Sequence, residues 1–536
     1  MRAPQSVDAV IVGAGFAGLY MLKKLREQGL DAVVLERGDG VGGTWFWNRY
    51  PGARCDVESP YYSYSFDPEL EQQWEWTERY PAQPEIMKYL NHVADRYDLR
   101  GDIRLETTVA SAVYDDAAHL WSVTSTGPDG GQVTAARYLI MATGCLSSSR
   151  IPDFAGLGDF AGEVFHTGRW PHEEVSFAGK RVGVVGTGSS GVQSIPVIAE
   201  QAEELFVFQR TPNFSVPAKN GPLDQQLWAE VKARYRQLRE EARHSPTGLP
   251  FAPSVDSALG VDEAARLRVF DEHWTLGGFR LGQCFSDIGV SREANDTVAA
   301  YIRAKIDEIV EDPATAELLK PWDHPVGTKR ICVDTNYYAT YNRDNVHLID
   351  VKSAPIATLT ETGLRTETGD EYELDAVVFA TGFDAMTGAL LNIDIRGRDG
   401  ESLRDHWESG ARAYLGLSVA GFPNLFTVTG PGSPSVLSNM VTSIEQHVEW
   451  IDEHIAYLRA NGLEVSEPVL EAEDAWVEHV NAVADMTLMK QANSWYLGAN
   501  VPGKPRVFMP YAGGVGAYRQ QCDEIAADKY RGFQLA

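Results

Sequence analysis

Apolar residues run from Ala9 to Val12, stop at Gly13, continue at helical spacing into the charged stretch KKLREQG, and close with a second apolar run that ends at Glu36. This predicts strand, glycine turn, helix and strand. The same pattern returns in KRVGVVGTGSSGVQSIPVIAEQAEELFVFQRTP, with Gly186, Gly188 and Gly191 in the turn and Arg210 at the end of the second strand. Two further apolar runs, YLIMATGCL at 138–146 and AVVFATGFD at 376–384, each end in Ala-Thr-Gly and read as crossings between two units. From about 222 to 325 the text is charged and helical (QLWAEVKARYRQLREEAR, VAAYIRAKIDEIVED), which predicts an insertion. Ile444, Val448, Ile451, Ile455 and Leu458 then form a stripe at helical spacing that stops at Asn461-Gly462, the pattern of a helix packed on a core.

The two glycine turns carry chemistry. Gly13 and Gly15 allow a tight turn beneath a pyrophosphate, Gly18 allows close helix packing, and the helix N-terminus faces the phosphates. Glu36, 23 residues beyond Gly13, stands where an acid accepts hydrogen bonds from ribose hydroxyls. In the second unit Arg210, 24 residues beyond Gly186, takes that place. An arginine there suits the extra 2′-phosphate of NADPH. The fold class expected is therefore α/β, with two Rossmann-like dinucleotide-binding domains and a helical insertion in the second.

Composition narrows the function. Among 536 residues, 47 Lys plus Arg against 75 Asp plus Glu give a formal net charge of −28, which argues against nucleic acid and anionic membranes as partners. The five cysteines are scattered, with no C-x-x-C pair, so a zinc site and a redox dithiol are not expected and a reducing cytoplasm is the simplest location. No apolar run reaches the roughly 18 residues of a membrane span. Neither an H-E-x-x-H pair nor a G-x-S-x-G elbow occurs, so no metal and no serine nucleophile are expected. The oligomeric state is left open, a monomer being compatible with the sequence.

Between the two units lies FAGEVFHTGRWP. Phe160, Gly162, His166, Trp170 and Pro171 satisfy Phe-x-Gly-x-x-x-His-x-x-x-Trp followed by Pro or Asp. With YPGARCDVES, GTGSSGVQ, GTKR, GFPNLFTVTGPGSPSVLSNM and SWYLGANVPGKPRVF, the chain resembles the type I Baeyer–Villiger monooxygenases over nearly its whole length, and the phenylacetone monooxygenase branch in particular. His166 itself reads as a hydrogen-bonded structural residue on an interdomain connection, and Trp170 as packing.

The resemblance implies FAD in the first domain (1–145, resumed at 385–536) and NADP in the second (146–384, with the insertion at about 222–325), plus a mobile NADP-covering loop near 490–505. It implies a flavin peroxide that attacks a ketone to give an ester or lactone, with molecular oxygen as co-substrate. Arg330 is implied to stabilise the negative charge and Asp56 to hold Arg330. Thr44, Trp45, Trp47, Tyr62, Val109 and Met440 are implied to contact FAD, beside Gly13, Gly15, Gly18, Glu36 and Asp56. On the NADP side the resemblance implies Arg54, Cys55, Thr187, Gly188, Ser189, Ser190, Gly191, Gln193, Arg210, Thr211, Lys329, Arg330 and Trp495. Ser433, Pro434, Ser435 and Met440 are implied to line the ketone site. The nearest alternative is a flavin monooxygenase acting mainly on sulfur or nitrogen, against which Trp170-Pro171 counts.

Overall fold

Both strand–turn–helix–strand units are present in the computed structural model, which describes residues 5–252 and 254–536. The first comprises strand Gln5–Val12, helix Phe16–Glu27 and strand Ala32–Leu35. The second comprises strand Arg181–Val185, helix Ser189–Ala199 and strand Glu204–Gln209. In each, the two strands pair in parallel, Ala9 opposite Ala32 and Val182 opposite Leu205. Parallel strands are covered on both faces, and so Ala9, Val10 and Ile11 are fully buried.

Eight strands form the first sheet, in the order Asp394–Arg396, Thr108–Asp115, Leu120–Gly127, Gly130–Met141, Gln5–Val12, Ala32–Leu35 and Ile103–Arg104, with Leu425–Thr427 also pairing onto Gly130–Met141. The second sheet is wholly parallel, in the order Val346–Asp350, Glu204–Gln209, Arg181–Val185, Ala376–Phe379 and Glu163–His166. The chain thus leaves the first sheet after Met141 and supplies two more strands to it after the second sheet is complete. Helix Met440–Ala460 then packs on the first core, burying Ile444, Val448, Ile451, Ile455 and Leu458, and ends at Asn461.

The two crossings run side by side. The Met386 N–H donates to Cys145 O at 2.8 Å, the Asp384 N–H to Ser148 O at 2.9 Å and the Arg150 N–H to Gly382 O at 3.3 Å. His166 clasps this pair. Its Nδ1 accepts from the Gly168 N–H at 2.9 Å, which leaves Nε2 to donate to Arg150 O at 3.2 Å, and the Thr381 hydroxyl donates to the same oxygen at 2.8 Å. Burial lowers the His166 pKa to about 4, so the ring is neutral and held in one tautomer. Trp170 is buried and stacks on Phe165 at 5.1 Å, and a Cβ on Gly162 would lie 2.5 Å from Asp375 O. These motif residues are therefore placed by packing and by the clasp, as the sequence reading of His166 and Trp170 has it.

The insertion differs from the expectation of a single block on the second unit. Helices Gln225–Ala233 and Tyr235–His244 contribute Trp228, Tyr235 and Leu238 to the core of the first half. Arg239 there is buried and pairs with buried Glu71 at 2.8 Å. Residues from Ala258 to Val333, which carry helices Glu263–Leu276 and Arg292–Ile309, close a separate core around Phe270 and Ile302. Parallel strands Ser215–Pro217 and Cys332–Asp334 form the neck of the excursion. Among the described residues no helix is long and apolar enough to cross a membrane.

Candidate active site

The two glycine turns share one construction. Gly13 has φ +105° and a Cβ there would sit 2.6 Å from Ala142 O; Gly186 has φ +109° and a Cβ there would sit 2.6 Å from Ala380 O. Each Ala-Thr-Gly strand end thus presses against the first glycine of a turn, and both positions need left-handed backbone. At the third glycine a Cβ would lie 1.8 Å from Gly13 O at Gly18 and 2.2 Å from Gly186 O at Gly191, so no side chain fits. The helices begin at Gly15 and Gly188 with no side-chain cap, leaving their first N–H groups for an anion. Both cradles suit a pyrophosphate.

Beyond the first turn, buried Glu36 accepts the Ala14 and Gly38 N–H groups, each at 2.7 Å. A carboxylate has about four acceptor positions, so ribose hydroxyls can still be received. Beyond the second turn, Arg210 is exposed and Lys329 half-buried. Burial lowers the Lys329 pKa; Asp323 opposes this, while the positive charges of Arg210 and Lys352 reinforce it. A cluster of cations at this edge fits a doubly charged phosphate.

At the junction of the two halves, Arg330 donates from Nε to Asp56 Oδ2 at 2.6 Å, from Nη2 to Asp56 Oδ1 at 2.7 Å and from Nη1 to Val436 O at 2.6 Å. Its guanidinium also lies over the Phe279 ring, 4.9 Å from the centroid. Burial by itself would depress the arginine pKa, but the adjoining Asp56 carboxylate outweighs it and raises the value, so Arg330 is a permanent cation. The side chain remains 23% exposed, enough to reach a ligand.

The other sequence-predicted residues fall into distinct groups. Thr44, Trp45 and Trp47 form the short helix Thr44–Trp47 that faces Gly15 across Gly43, and the Trp45 indole donates to Tyr62 Oη at 2.9 Å. Trp47 packs instead beneath Arg37, whose guanidinium carbon is 4.7 Å from its ring centre. Val109 is buried in strand Thr108–Asp115, just after Thr107, whose N–H donates to Glu36 O. In the second turn the Thr187 hydroxyl donates to Thr211 O at 3.2 Å, Ser189 Oγ lies 3.7 Å from Cys332 Sγ and Ser190 sits in the first turn of helix Ser189–Ala199. Trp495 is half-buried against Tyr496, with ring centres 4.4 Å apart.

Several contacts add to the sequence reading. The Gln193 amide is engaged between the halves, accepting from Tyr50 Oη at 2.8 Å and donating to Arg54 O at 3.1 Å. Arg54 pairs with Glu78 at 2.8 Å, and Cys55 is buried with its thiol pushed well above the ordinary pKa by desolvation. Ser433 and Ser435 are fully buried, their hydroxyls turned to Gly430 O and Thr429 O, because the loop needs them to satisfy its own backbone. Beside buried Pro434, what this loop presents to Arg330 is the Val436 carbonyl, and Met440 Sδ accepts the Val436 N–H. Val436, Phe279 and Tyr496 were missed by sequence reasoning, although Val436, in GFPNLFTVTGPGSPSVLSNM, and Tyr496, next to Trp495 in SWYLG, sit in stretches that drew attention.

Two dinucleotide cradles and one fixed arginine define a flavin- and nicotinamide-type oxidoreductase. The flavin-binding monooxygenase-like (FMO-like) family matches residues 7–220. Over 99% of both chains the protein is 44% identical to the acetone monooxygenase (methyl acetate-forming) of Gordonia sp. (strain TY-5). It is 45% identical to a Baeyer–Villiger monooxygenase of Pseudooceanicola batsensis over 98% of this chain and 95% of that one. It is 44% identical to the phenazine N-monooxygenase PhzNO1 of Lysobacter antibioticus over 98% and 97%. A solved oxidised steroid monooxygenase bound to NADP superposes with a TM-score of 0.94 at 53% identity, covering 99% of each chain. The chain belongs to the flavin-binding monooxygenase-like family and, within it, to the Baeyer–Villiger monooxygenases.

Proposed function

We propose that the protein is an FAD- and NADPH-dependent monooxygenase that converts a ketone, O2, NADPH and a proton into an ester or lactone, NADP+ and water. The observation that carries this is Arg330, held by both oxygens of Asp56 in a chain that carries two dinucleotide cradles. Bound flavin supplies electron storage and oxygen activation. The first turn, with Glu36, receives FAD, while Thr44, Trp45 and Tyr62 shape its edge. The second turn receives NADPH, whose 2′-phosphate is held by Arg210 and Lys329, and Trp495 lies on the loop that covers it.

Arg330 supplies a fixed positive charge for the negative charge that develops on the substrate carbonyl oxygen. A preoriented donor of this kind is worth about 10²–10³ in rate. Asp56 keeps the guanidinium in place without moving a proton, since arginine does not release one in this range. The relatives named for acetone and for Baeyer–Villiger chemistry support a ketone substrate, while the phenazine N-monooxygenase shows that nitrogen oxygenation occurs at similar identity. Heavy oxygen gas with NADPH and a panel of aryl, linear and cyclic ketones, run beside amines and sulfides, decides between them. An ester or lactone carrying one heavy oxygen supports the proposal. Label appearing only on amines or sulfides overturns it.

A further inference from the structure

Among the described residues thirteen that are not glycine have positive φ, and only two of these are β-branched, Thr429 and Val436, each at +60°. A β-branched side chain is crowded in left-handed backbone, and such residues persist where their surroundings over-determine them. The two stand seven positions apart and bracket the loop that follows strand Leu425–Thr427, whose far end gives the Val436 carbonyl to Arg330 Nη1 at 2.6 Å.

Both strained residues are held by their N–H and by their carbonyl. The Val436 N–H donates to Met440 Sδ at 3.2 Å. The Thr429 N–H donates to Nδ1 of His447 at 3.0 Å, and the Thr429 carbonyl accepts the Ser435 hydroxyl at 3.4 Å. A continuous path thus runs from His447 through Thr429 and Ser435 to Val436 and Arg330.

His447 lies two turns into helix Met440–Ala460, fully buried, with its ring centre 5.5 Å from that of Tyr518. Burial lowers its pKa to about 3, and the charge of Arg519 adds to the effect, so the ring is neutral. With Nδ1 accepting, Nε2 carries the hydrogen, and that atom has no hydrogen-bond partner among the described residues. Packing alone favours an apolar residue of similar size here, because a buried donor left unpaired is costly. What a neutral histidine adds is the acceptor for Thr429.

We propose that His447 is a positioning residue: by holding the Thr429 N–H it fixes the left-handed start of this loop and, through Ser435 and Val436, the orientation of the Arg330 guanidinium. The proposal rests on the role given to Arg330 above.

The test uses the FAD-loaded full chain. His447→Leu keeps the side-chain volume and removes the acceptor, whereas His447→Asn leaves a cavity but keeps an acceptor oxygen near the place of Nδ1. A packing role makes Asn the more harmful change, and positioning makes it the milder one. With NADPH and a converted ketone, His447→Leu is expected to lower the ester formed per NADPH oxidised about threefold, hydrogen peroxide making up the balance, while flavin reduction by NADPH stays within about twofold. His447→Asn is expected to keep that yield within about 1.5-fold of wild type, although it unfolds at a lower temperature than His447→Leu. An equal or greater loss of yield in His447→Asn overturns the proposal. Without nicotinamide or ketone, hydrogen exchange of the amides at 429–437 is expected to quicken about fivefold in His447→Leu, and less than about twofold when the same change is made beside Thr429→Gly, since glycine holds left-handed backbone unaided. The same quickening in both backgrounds also overturns it. If the wild-type protein forms no ester from any ketone, the proposed function falls, and the exchange cycle still decides whether His447 pins Thr429.

Discussion

Asp56 grips Arg330 with both carboxylate oxygens, at 2.6 and 2.7 Å, across 274 positions of sequence. The pair joins the segment after the first nucleotide unit to the end of the insertion, and one more arginine donor goes to Val436 O. Replacing Arg330 with alanine should leave FAD binding and flavin reduction by NADPH in place, the latter slower, and lower ester formation about 10²–10³-fold or more. Product analysis by mass spectrometry beside anaerobic reduction kinetics checks this, and ester formation at the wild-type rate would refute the role.

Arg210 and Lys329 form a cationic edge to the second cradle. Arg210→Ala should lower kcat/KM for NADPH about 10- to 100-fold, the value of one charge-assisted hydrogen bond, and leave NADH nearly unchanged. Steady-state kinetics with both cofactors measures the ratio. Equal losses would mean that Arg210 does not read the 2′-phosphate.

His166 gives a pH signature. Its pKa is about 4 in the folded chain against an ordinary 6.5. As pH falls through 6.5 the unfolded chain takes up a proton that the native ring refuses until about 4, so this group's contribution to stability is lost progressively across that window. Buried His447 and His454 add slope of the same sign. Denaturation of His166→Asn should therefore show a deficit against wild type that is largest near pH 7 and narrows toward pH 4. Parallel curves would rule the neutral clasp out.

Lys504 lies 2.6 Å from Asp384 Oδ1 and donates to Ala385 O at 2.8 Å, while the Asn500 amide donates to Phe383 O at 2.7 Å. The loop carrying Trp495 is thereby latched to the second crossing. Lys504→Met should weaken NADP+ binding about three- to tenfold, and exchanging the two charges, Lys504→Asp with Asp384→Lys, should restore part of it. Equilibrium titration followed by tryptophan fluorescence reports both, and unaltered affinity in Lys504→Met would dismiss the latch.

The turns, the signs of Glu36 and Arg210 and the core stripe on Met440–Ala460 were legible because periodicity and spacing encode them locally. Arg330 and Asp56 were reached through family resemblance alone, since nothing in GTKR or CDVES discloses that the two side chains meet. Gln193 and Tyr50 lie 143 positions apart, and no local pattern announces their contact. Val436 acts through a carbonyl, which side-chain reasoning does not see. The divided insertion escaped for a related reason: an amphipathic helix reveals that it has a buried face, not which core receives it. Ser433 and Ser435 drew attention as polar groups in a glycine- and proline-rich loop, yet buried backbone acceptors claimed their hydroxyls.

The order of strands along the chain also bears on synthesis. The five strands of the second sheet have all been made by Phe379, whereas the first sheet still lacks Asp394–Arg396 and Leu425–Thr427, and its core lacks helix Met440–Ala460. On the ribosome the half that starts first therefore finishes last, and the emerging chain can complete its second nucleotide fold while the first remains open. Truncation after residue 145 would release a sheet without its edge, and no single uninterrupted fragment can stand for the flavin half of this protein.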